Sequence, residues 1–341
     1  MTESTKTEFR TVTVLDESEV IDFNRVNYVR VGERSQGQRL DNFLLRILKG
    51  VPKSHVYRIV RNGEVRINKK RADCQSKLEQ GDEVRVPPVR IALSESRSLP
   101  QAKPISENEL DILFEDRDLI VVNKPAGLAC HGGSGVAYGL IERLRVSRPE
   151  CGFLELAHRL DRDTSGALIL CKTRKALVRL HEMQREGGVE KHYRLLVQGD
   201  WVNQREHVRL ALTKYTLPSG ERRVRVDEQN GLKAHTIFTL LKRYGSVSYL
   251  DAELKTGRTH QIRVHAASTG HPLVGDAKYG DYAFNESVKK GVLGRAFSRM
   301  FLHAERLSFT HPVTREPMIV IAPLDDALQG LIEFLDRESF A

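Results

Sequence analysis

The apolar residues of RLDNFLLRIL recur at Leu40, Phe43, Leu44, Ile47 and Leu48, the spacing of one core-facing helix stripe. PKSHVYRIVRNGEVRIN then predicts a second helix, opened near Ser54 and stopped at Asn62-Gly63. A strand follows in which Val65 and Ile67 alternate with Arg66, and DEVRVPP gives another that ends at Pro87. Residues 1–34 are polar and β-branched without sustained period and are expected to form an N-terminal tail. Residues 35–90 make a small module. Residues 91–109, rich in Ser and Pro, predict a linker between two domains.

Beyond it, residues 110–330 carry the pattern of a larger domain, followed by a C-terminal tail at 331–341. LIVVNKPAG predicts a buried strand ending in a Lys124-Pro125-Ala126-Gly127 turn, and GALILCK predicts another. TRKALVRLHEMQREGG predicts a helix capped by Thr173, with Ala176, Leu177, Leu180 and Met183 toward the core and Gly187-Gly188 as its stop. In EKHYRLLVQG, Tyr193, Leu195 and Val197 share one strand face. SYLDAEL predicts a strand that turns at Thr256-Gly257 into a short helix capped by Thr259 and closed near Gly270. Helices and strands do not alternate regularly, which excludes a doubly wound parallel sheet. The expected class is α+β: a mixed, largely antiparallel sheet with flanking helices, plus the small N-terminal module.

Charge sharpens the picture of that module. The 341-residue chain has 54 Lys and Arg against 45 Asp and Glu, a net charge of +9. Distribution matters more than the total: Lys49 to Arg71 holds eight basic residues and one acid, Glu64. Lys53, Arg58 and Arg61 surround the second helix, and Lys69, Lys70 and Arg71 lie in the hairpin beyond it. A solvated face usually mixes both signs, so an almost acid-free run points to phosphate contact, which positions a nucleic acid and carries little sequence information. The four cysteines form no Cys-x-x-Cys pair, against a zinc site or a disulfide framework. No secretory signal and no apolar run near the roughly 20 residues of a membrane span are found, so a cytoplasmic protein is expected.

The candidate chemistry lies in LAHRLDRDTSGALIL, where Asp161 and Asp163 flank Arg162. An aspartic-protease dyad needs two Asp-Thr/Ser-Gly turns, and the chain has one imperfect turn. A dehalogenase-type phosphatase places its apolar strand before Asp-x-Asp, whereas here the strand follows. That leaves ordinary surface pairs with Arg159 and Arg162, or a single nucleophilic aspartate among basic residues. The HGGSG loop at 131–135 lacks a P-loop ending and does not indicate a nucleotide cofactor. His260 and His265 are expected on one short helix and, with His158, read as structural or RNA-contacting residues; no metal site is predicted.

Two resemblances decide between the readings. GQRLDNFL, GVPKSHVYRIVRNGEVRINKKR and LEQGDEVRVPP together resemble an S4-type RNA-binding domain. HRLDRDTSG, KHYRLLVQG and TGRTHQIRVH, in that order, resemble the RluA family of pseudouridine synthases, and RMFLHAERLSFTHP extends the likeness. It covers nearly all of residues 35–330.

The resemblance implies the pseudouridine synthase fold and isomerisation of uridines in 23S ribosomal RNA of the large subunit, at several sites near the peptidyl-transferase region. The enzyme would be monomeric, with no cofactor, metal or membrane involved. By the same likeness Asp161 is the nucleophile and Asp163 fixes the loop. Arg263 is the cation that keeps Asp161 ionised, and Tyr193 stacks on the base and serves in proton transfer. Arg159 enters the RNA stack where the target base leaves. Ile262 packs under the uracil, and Arg258 either contacts phosphate or braces its turn. The rival from another class is a non-catalytic RNA-binding assembly factor.

Overall fold

The computed structural model describes residues 14–16, 21–89, 102–106, 109–133 and 136–338. The chain divides into two compact units, residues 1–99 and 100–341.

In the first unit, β1 (Val14–Asp16), β2 (Asn27–Arg30), α1 (Leu40–Ile47), α2 (Lys53–Arg61), β3 (Arg66–Ile67), β4 (Lys70–Arg71) and β5 (Glu83–Val86) follow in order. The strands form one sheet in the order β1-β2-β5-β3-β4. Leu40, Phe43 and Leu44 of α1 meet Val56, Ile59 and Val60 of α2 in a core that also takes Val29, Val31, Val84 and Val86. Each such aliphatic or aromatic side chain contributes roughly 1.5–3 kcal/mol when fully buried. The expected tail at 1–34 is therefore corrected: β2 pairs antiparallel with β5, and Ile21 and Val29 are buried. The run is short and broken by polar residues: Arg30 lies on the exposed face, while Asn27 is buried with its amide donating to the Asp22 and Arg25 carbonyls. Residues 1–13 and 17–20 lie outside the described residues.

The second unit comprises β6 (Asp111–Glu115), β7 (Leu119–Lys124), α3 (Leu140–Ser147), β8 (Glu155–Leu156), β9 (Ser165–Cys171), α4 (Arg174–Glu186), β10 (Val189–Gln198), β11 (Arg205–Val208), β12 (Leu212–Thr216), β13 (Arg222–Val226), β14 (Thr236–Arg243), β15 (Val247–Leu254), α5 (Gln261–Ser268), α6 (Tyr282–Lys289), β16 (Leu302–Thr310), β17 (Pro317–Ile321) and α7 (Asp326–Glu338). Its large sheet runs β11-β14-β15-β10-β16-β9-β7-β6, with β17 on β16 and β8 on β9, while β12 and β13 form a separate hairpin. Every pair is antiparallel except β9 with β16, which meet in parallel at Ser165–His303 and Gly166–Ala304. Gly166 has φ +113°, and a Cβ there would collide with the Ala304 carbonyl, so glycine alone permits this approach.

The period-2 rule explains the layers. Leu168 and Leu170 of β9 face one core with α3, whereas Ala167, Ile169 and Cys171 face another with α4. As the sequence predicts, Thr173 caps α4 by accepting the Ala176 amide at 3.3 Å, and Gly187 ends it at φ 79°. Two boundaries differ from expectation. Residues 331–338 continue α7, whose Leu331, Ile332 and Leu335 are buried, because the apolar period runs on from Leu328. Ile105, inside the expected linker, packs into the core, and its amide and carbonyl both bond the Ser147 hydroxyl. Residues 90–101 of that linker lie outside the described residues.

Candidate active site

Three segments distant in sequence converge on one face of the large sheet: the loop before β9, the middle of β10, and the turn into α5. They line a cavity of about 390 Å³ whose walls include Arg159, Asp161, Tyr193, Arg258, Ile262 and Arg263. All six residues to which the resemblance gives catalytic or substrate-binding roles thus border one space.

Asp161 sits in the loop between β8 and β9, its carboxylate about one fifth exposed. The loop is gripped from beneath. Lys124, fully buried at the end of β7, donates from Nζ to the carbonyls of Pro125 (2.8 Å), Leu128 (2.8 Å) and Arg162 (3.1 Å). The Gly127 amide adds a second bond to the Arg162 carbonyl at 2.8 Å. Cys130 Sγ lies 3.2 Å from both the amide and the carbonyl of Leu160. Asp163, expected to fix the loop, instead pairs with its exposed neighbour Arg162 at 3.0 Å. The hold comes from a cation that backbone carbonyls solvate, which a linear motif does not display. Burial pulls the Lys124 ammonium down to about 8. Lys124→Met is expected to take the ammonium donor from three carbonyls, of which only that of Arg162 keeps another, and to cost roughly 2–3 kcal/mol. Thermal unfolding of the purified variant checks this.

Arg263, in the first turn of α5, links two carboxylates. Nε and Nη2 bind Asp276 in a fork at 2.7 Å each, and Nη1 reaches Asp161 Oδ2 at 3.3 Å. The fork satisfies the planar guanidinium bidentately. Burial works against the charge on Arg263, but the bonds and charges of Asp276 and Asp161 outweigh it and raise its pKa. Asp276 behaves conversely: burial favours its neutral form, yet Arg263 and the amides of Lys278 (2.8 Å) and Tyr279 (3.1 Å) hold it below the usual carboxylate range. Asp276 and Tyr279, whose ring covers the Arg263 guanidinium at 5.0 Å, were not singled out from sequence. Their only sequence trace is the glycine-flanked stretch GDAKYG, which marks a tight backbone and says nothing of its partner.

The other walls are simpler. Tyr193 is 7% exposed, on the same face of β10 as Leu195 and Val197. Burial and the nearby Asp161 charge push its phenol up, so it stays protonated. Ile262 is buried beside it in the same cluster. Arg159 is exposed at the cavity edge. Arg258 donates from Nε to the Lys233 carbonyl at 3.1 Å, while its amide and the Thr256 hydroxyl both bond Gln261 Oε1, so Gln261 braces the turn.

The cap of α5 is corrected from Thr259 to His260, which adopts φ 53° and ψ 22° without a capping side-chain bond. A threonine just before an apolar-periodic stretch reads as a cap, but the helix begins one residue later, with Gln261 taken up by the Thr256 turn. His265 lies within α5, bonded to the Thr236 hydroxyl and the Leu210 carbonyl. His158 Nε2 accepts the Ile169 amide at 3.1 Å, a neutral role that agrees with burial holding its pKa well down. Among the described residues no cluster of His, Cys, Asp or Glu is arranged to hold a metal. No helix there is long and apolar enough to cross a membrane. In the HGGSG loop, Glu142 Oε2 accepts the amides of Gly132 and Gly139; Ser134 and Gly135 lie outside the described residues.

In the first unit Lys53, Arg58, Arg61, Lys69, Lys70 and Arg71 are all exposed, opposite the buried face of α2. Arg71 Nη2 donates to the Arg61 carbonyl at 2.6 Å, bringing the β3–β4 hairpin against the end of α2.

Residues 118–268 match the RNA pseudouridylate synthase family, and residues 38–84 match the S4 domain. The "Ribosomal large subunit pseudouridine synthase C" of Salmonella typhimurium is 49% identical over 91% of this chain and 97% of its own length. The protein of the same name from Pasteurella multocida is 48% identical over 92% of this chain and 95% of its own. The chain belongs to the RluA-type RNA pseudouridine synthase family. Of solved structures, human RNA pseudouridylate synthase domain containing 1 shares 28% identity and a TM-score of 0.52, covering 69% of this chain and 97% of that one. Human RNA pseudouridylate synthase domain containing 4, at 22% identity, TM-score 0.54, 66% of this chain and 93% of that one, agrees with the pseudouridine synthase fold.

Proposed function

We propose that this pseudouridine synthase converts several uridines of 23S ribosomal RNA to pseudouridine, with Asp161 as its nucleophile and Arg263 and Tyr193 completing the catalytic group. The observation that carries the reading is the Asp161–Arg263–Asp276 chain at the floor of a cavity walled by Tyr193 and Ile262. A base drawn out of an RNA stack displaces water from such a space, and a carboxylate left there protonates unless a cation stays beside it. Arg263 supplies that cation, and its fork to Asp276 keeps it in place.

The target uracil then lies between the Tyr193 ring and Ile262, with exposed Arg159 filling the place it leaves. Asp161 assists rupture of the bond between ribose C1′ and N1. The uracil rotates, C5 bonds to C1′, the hydrogen on C5 departs as a proton, and N1, freed from the ribose, takes up a proton in its place. A protonated Tyr193 stacks on the base and takes part in proton transfer only after the base has moved. Atoms and electrons balance within the substrate, so the reading needs neither cofactor nor metal. It has the enzyme act as a cytoplasmic monomer, with Arg258 oriented toward phosphate at the rim.

The test is tritium release from RNA labelled at uracil C5, with EDTA present and nothing else added. Release from 23S RNA and none from small-subunit RNA is expected; tight, salt-sensitive binding to 23S RNA without release would overturn the reading in favour of an assembly factor. The exposed basic face of the S4 unit gives a separate expectation. Replacing Lys69, Lys70 and Arg71 by Ala is expected to weaken RNA binding uniformly and to flatten the slope of log affinity against log salt by about 2–3, near one per lost phosphate contact. Titrations at several salt concentrations read it directly.

A further inference from the structure

His260 opens α5 in the left-handed region, at φ 53°. A side chain with a Cβ is uncommon there, which makes the ring itself the reason to look closer. Both of its nitrogens are addressed. Nδ1 lies 2.7 Å from the Tyr279 hydroxyl, and Nε2 lies 3.7 Å from Asp161 Oδ2. The Tyr279 oxygen already accepts the Val224 amide of β13 at 2.9 Å, so its single hydrogen is free to point at Nδ1. An imidazole that accepts at Nδ1 carries its hydrogen on Nε2. That tautomer turns an N–H toward the Asp161 carboxylate; the other would set two lone pairs against each other.

The surrounding charges agree. Burial favours the uncharged ring, Arg263 and Lys278 push the same way, and Asp161 and Asp276 oppose them; the net effect holds His260 below its usual range and neutral at neutral pH. The ring therefore offers Asp161 a donor without adding a second full charge that would quench its nucleophilicity. Arg263 Nη1 addresses the same oxygen, Oδ2, and no bond to Oδ1 is found among the described residues. With the His260 N–H drawn in to bonding distance, two donors on one oxygen would fix the twist of the carboxylate, which Arg263 alone does not.

We propose that His260 is a positioning residue for Asp161: its Nε2–H, set by Tyr279, holds Oδ2 so that Oδ1 is the oxygen presented to the ribose. The inference rests on Asp161 being the nucleophile. The 3.7 Å separation is longer than a hydrogen bond, and catalytic contacts of this kind commonly tighten into one once substrate closes the pocket.

The experiment is single-turnover tritium release from 23S RNA at saturating enzyme, with RNA affinity and thermal unfolding measured on the same proteins. Asparagine tolerates the left-handed backbone but carries its amide where Nδ1 stands; glutamine reaches the place of Nε2. His260→Asn is expected to slow release about ten- to a hundredfold with affinity unchanged, the scale of a misoriented reacting group. His260→Gln is expected to recover most of that loss. Tyr279→Phe, which keeps the ring over Arg263, should slow the native enzyme but leave His260→Gln no slower, because an amide has no tautomer to set. A native rate for His260→Asn, equal losses for the Asn and Gln variants, or the same Tyr279→Phe cost in both backgrounds would each overturn the proposal. Asp161→Asn, assayed alongside, separates the two levels: activity retained there removes the nucleophile assignment itself, whatever His260 does.

Discussion

Asp161→Asn is expected to bind 23S RNA as tightly as the native protein and to release tritium on the order of 10⁴-fold more slowly or less, the scale seen when a nucleophile is removed from a site whose other parts remain. The reason is local. The substitution keeps the shape of the side chain, and the amide oxygen still accepts Arg263 Nη1. The amide cannot attack C1′ or take up the positive charge that develops on the sugar as the base leaves. Stability should change little, because Arg263 retains its fork to Asp276. Rate lost with affinity and unfolding temperature kept is the expected result; a variant that retains full activity would remove Asp161 from the mechanism.

The second large effect falls on stability and activity together. Asp276→Asn is expected to destabilise the catalytic unit by about 3–5 kcal/mol, the usual cost of leaving one member of a buried pair uncompensated. For a unit of this size that is a fall of roughly 10 °C in unfolding temperature. The Asp276 side chain is fully buried and Arg263 is 5% exposed, so water cannot rescue the orphaned guanidinium. Arg263 is then free to swing wholly onto Asp161, which would engage both oxygens of the nucleophile and slow the chemistry as well. The same pair sets an acid limit. Because the folded-state pKa of Asp276 is depressed, its stabilisation is complete above the ordinary carboxylate range and is lost as pH falls below about 4 through the folded value. Unfolding followed by calorimetry across that range should show the native protein losing stability faster than Asp276→Asn. Parallel loss in both would assign the acid sensitivity elsewhere.

What the sequence disclosed follows from how local each signal is. Strand and helix placement around β9, α4 and β10 was legible because each carries its own period and its own stop, Gly187 being one. Asp161, Tyr193 and Arg263 were legible only as members of ordered motifs; nothing in HRLDRDTSG by itself excludes ordinary surface pairs. Asp276 was not legible, since its meaning lies in a guanidinium thirteen residues earlier on another element. Lys124 was hidden for the same reason: a lysine before proline reads as a turn, and only the fold shows three carbonyls closing on it. The start of the first unit was misjudged at β2, where polar residues break up a short apolar run, and the end of the second because the apolar period of α7 runs on past residue 330.

The order of synthesis gives β16 a further meaning. Asp161 and the strands β6 to β9 leave the ribosome early; Arg263 and Asp276 follow, on segments joined to β10, β14 and β15. In the sheet the early and late halves touch only through β16, Leu302–Thr310, which slots between β10 and β9. Until that strand emerges, no hydrogen-bonded ladder of the large sheet joins the strands beside the nucleophile to those beside its cation. A chain cut short before residue 302 is expected to retain its S4 unit yet lack the strand that joins the two halves of the catalytic sheet.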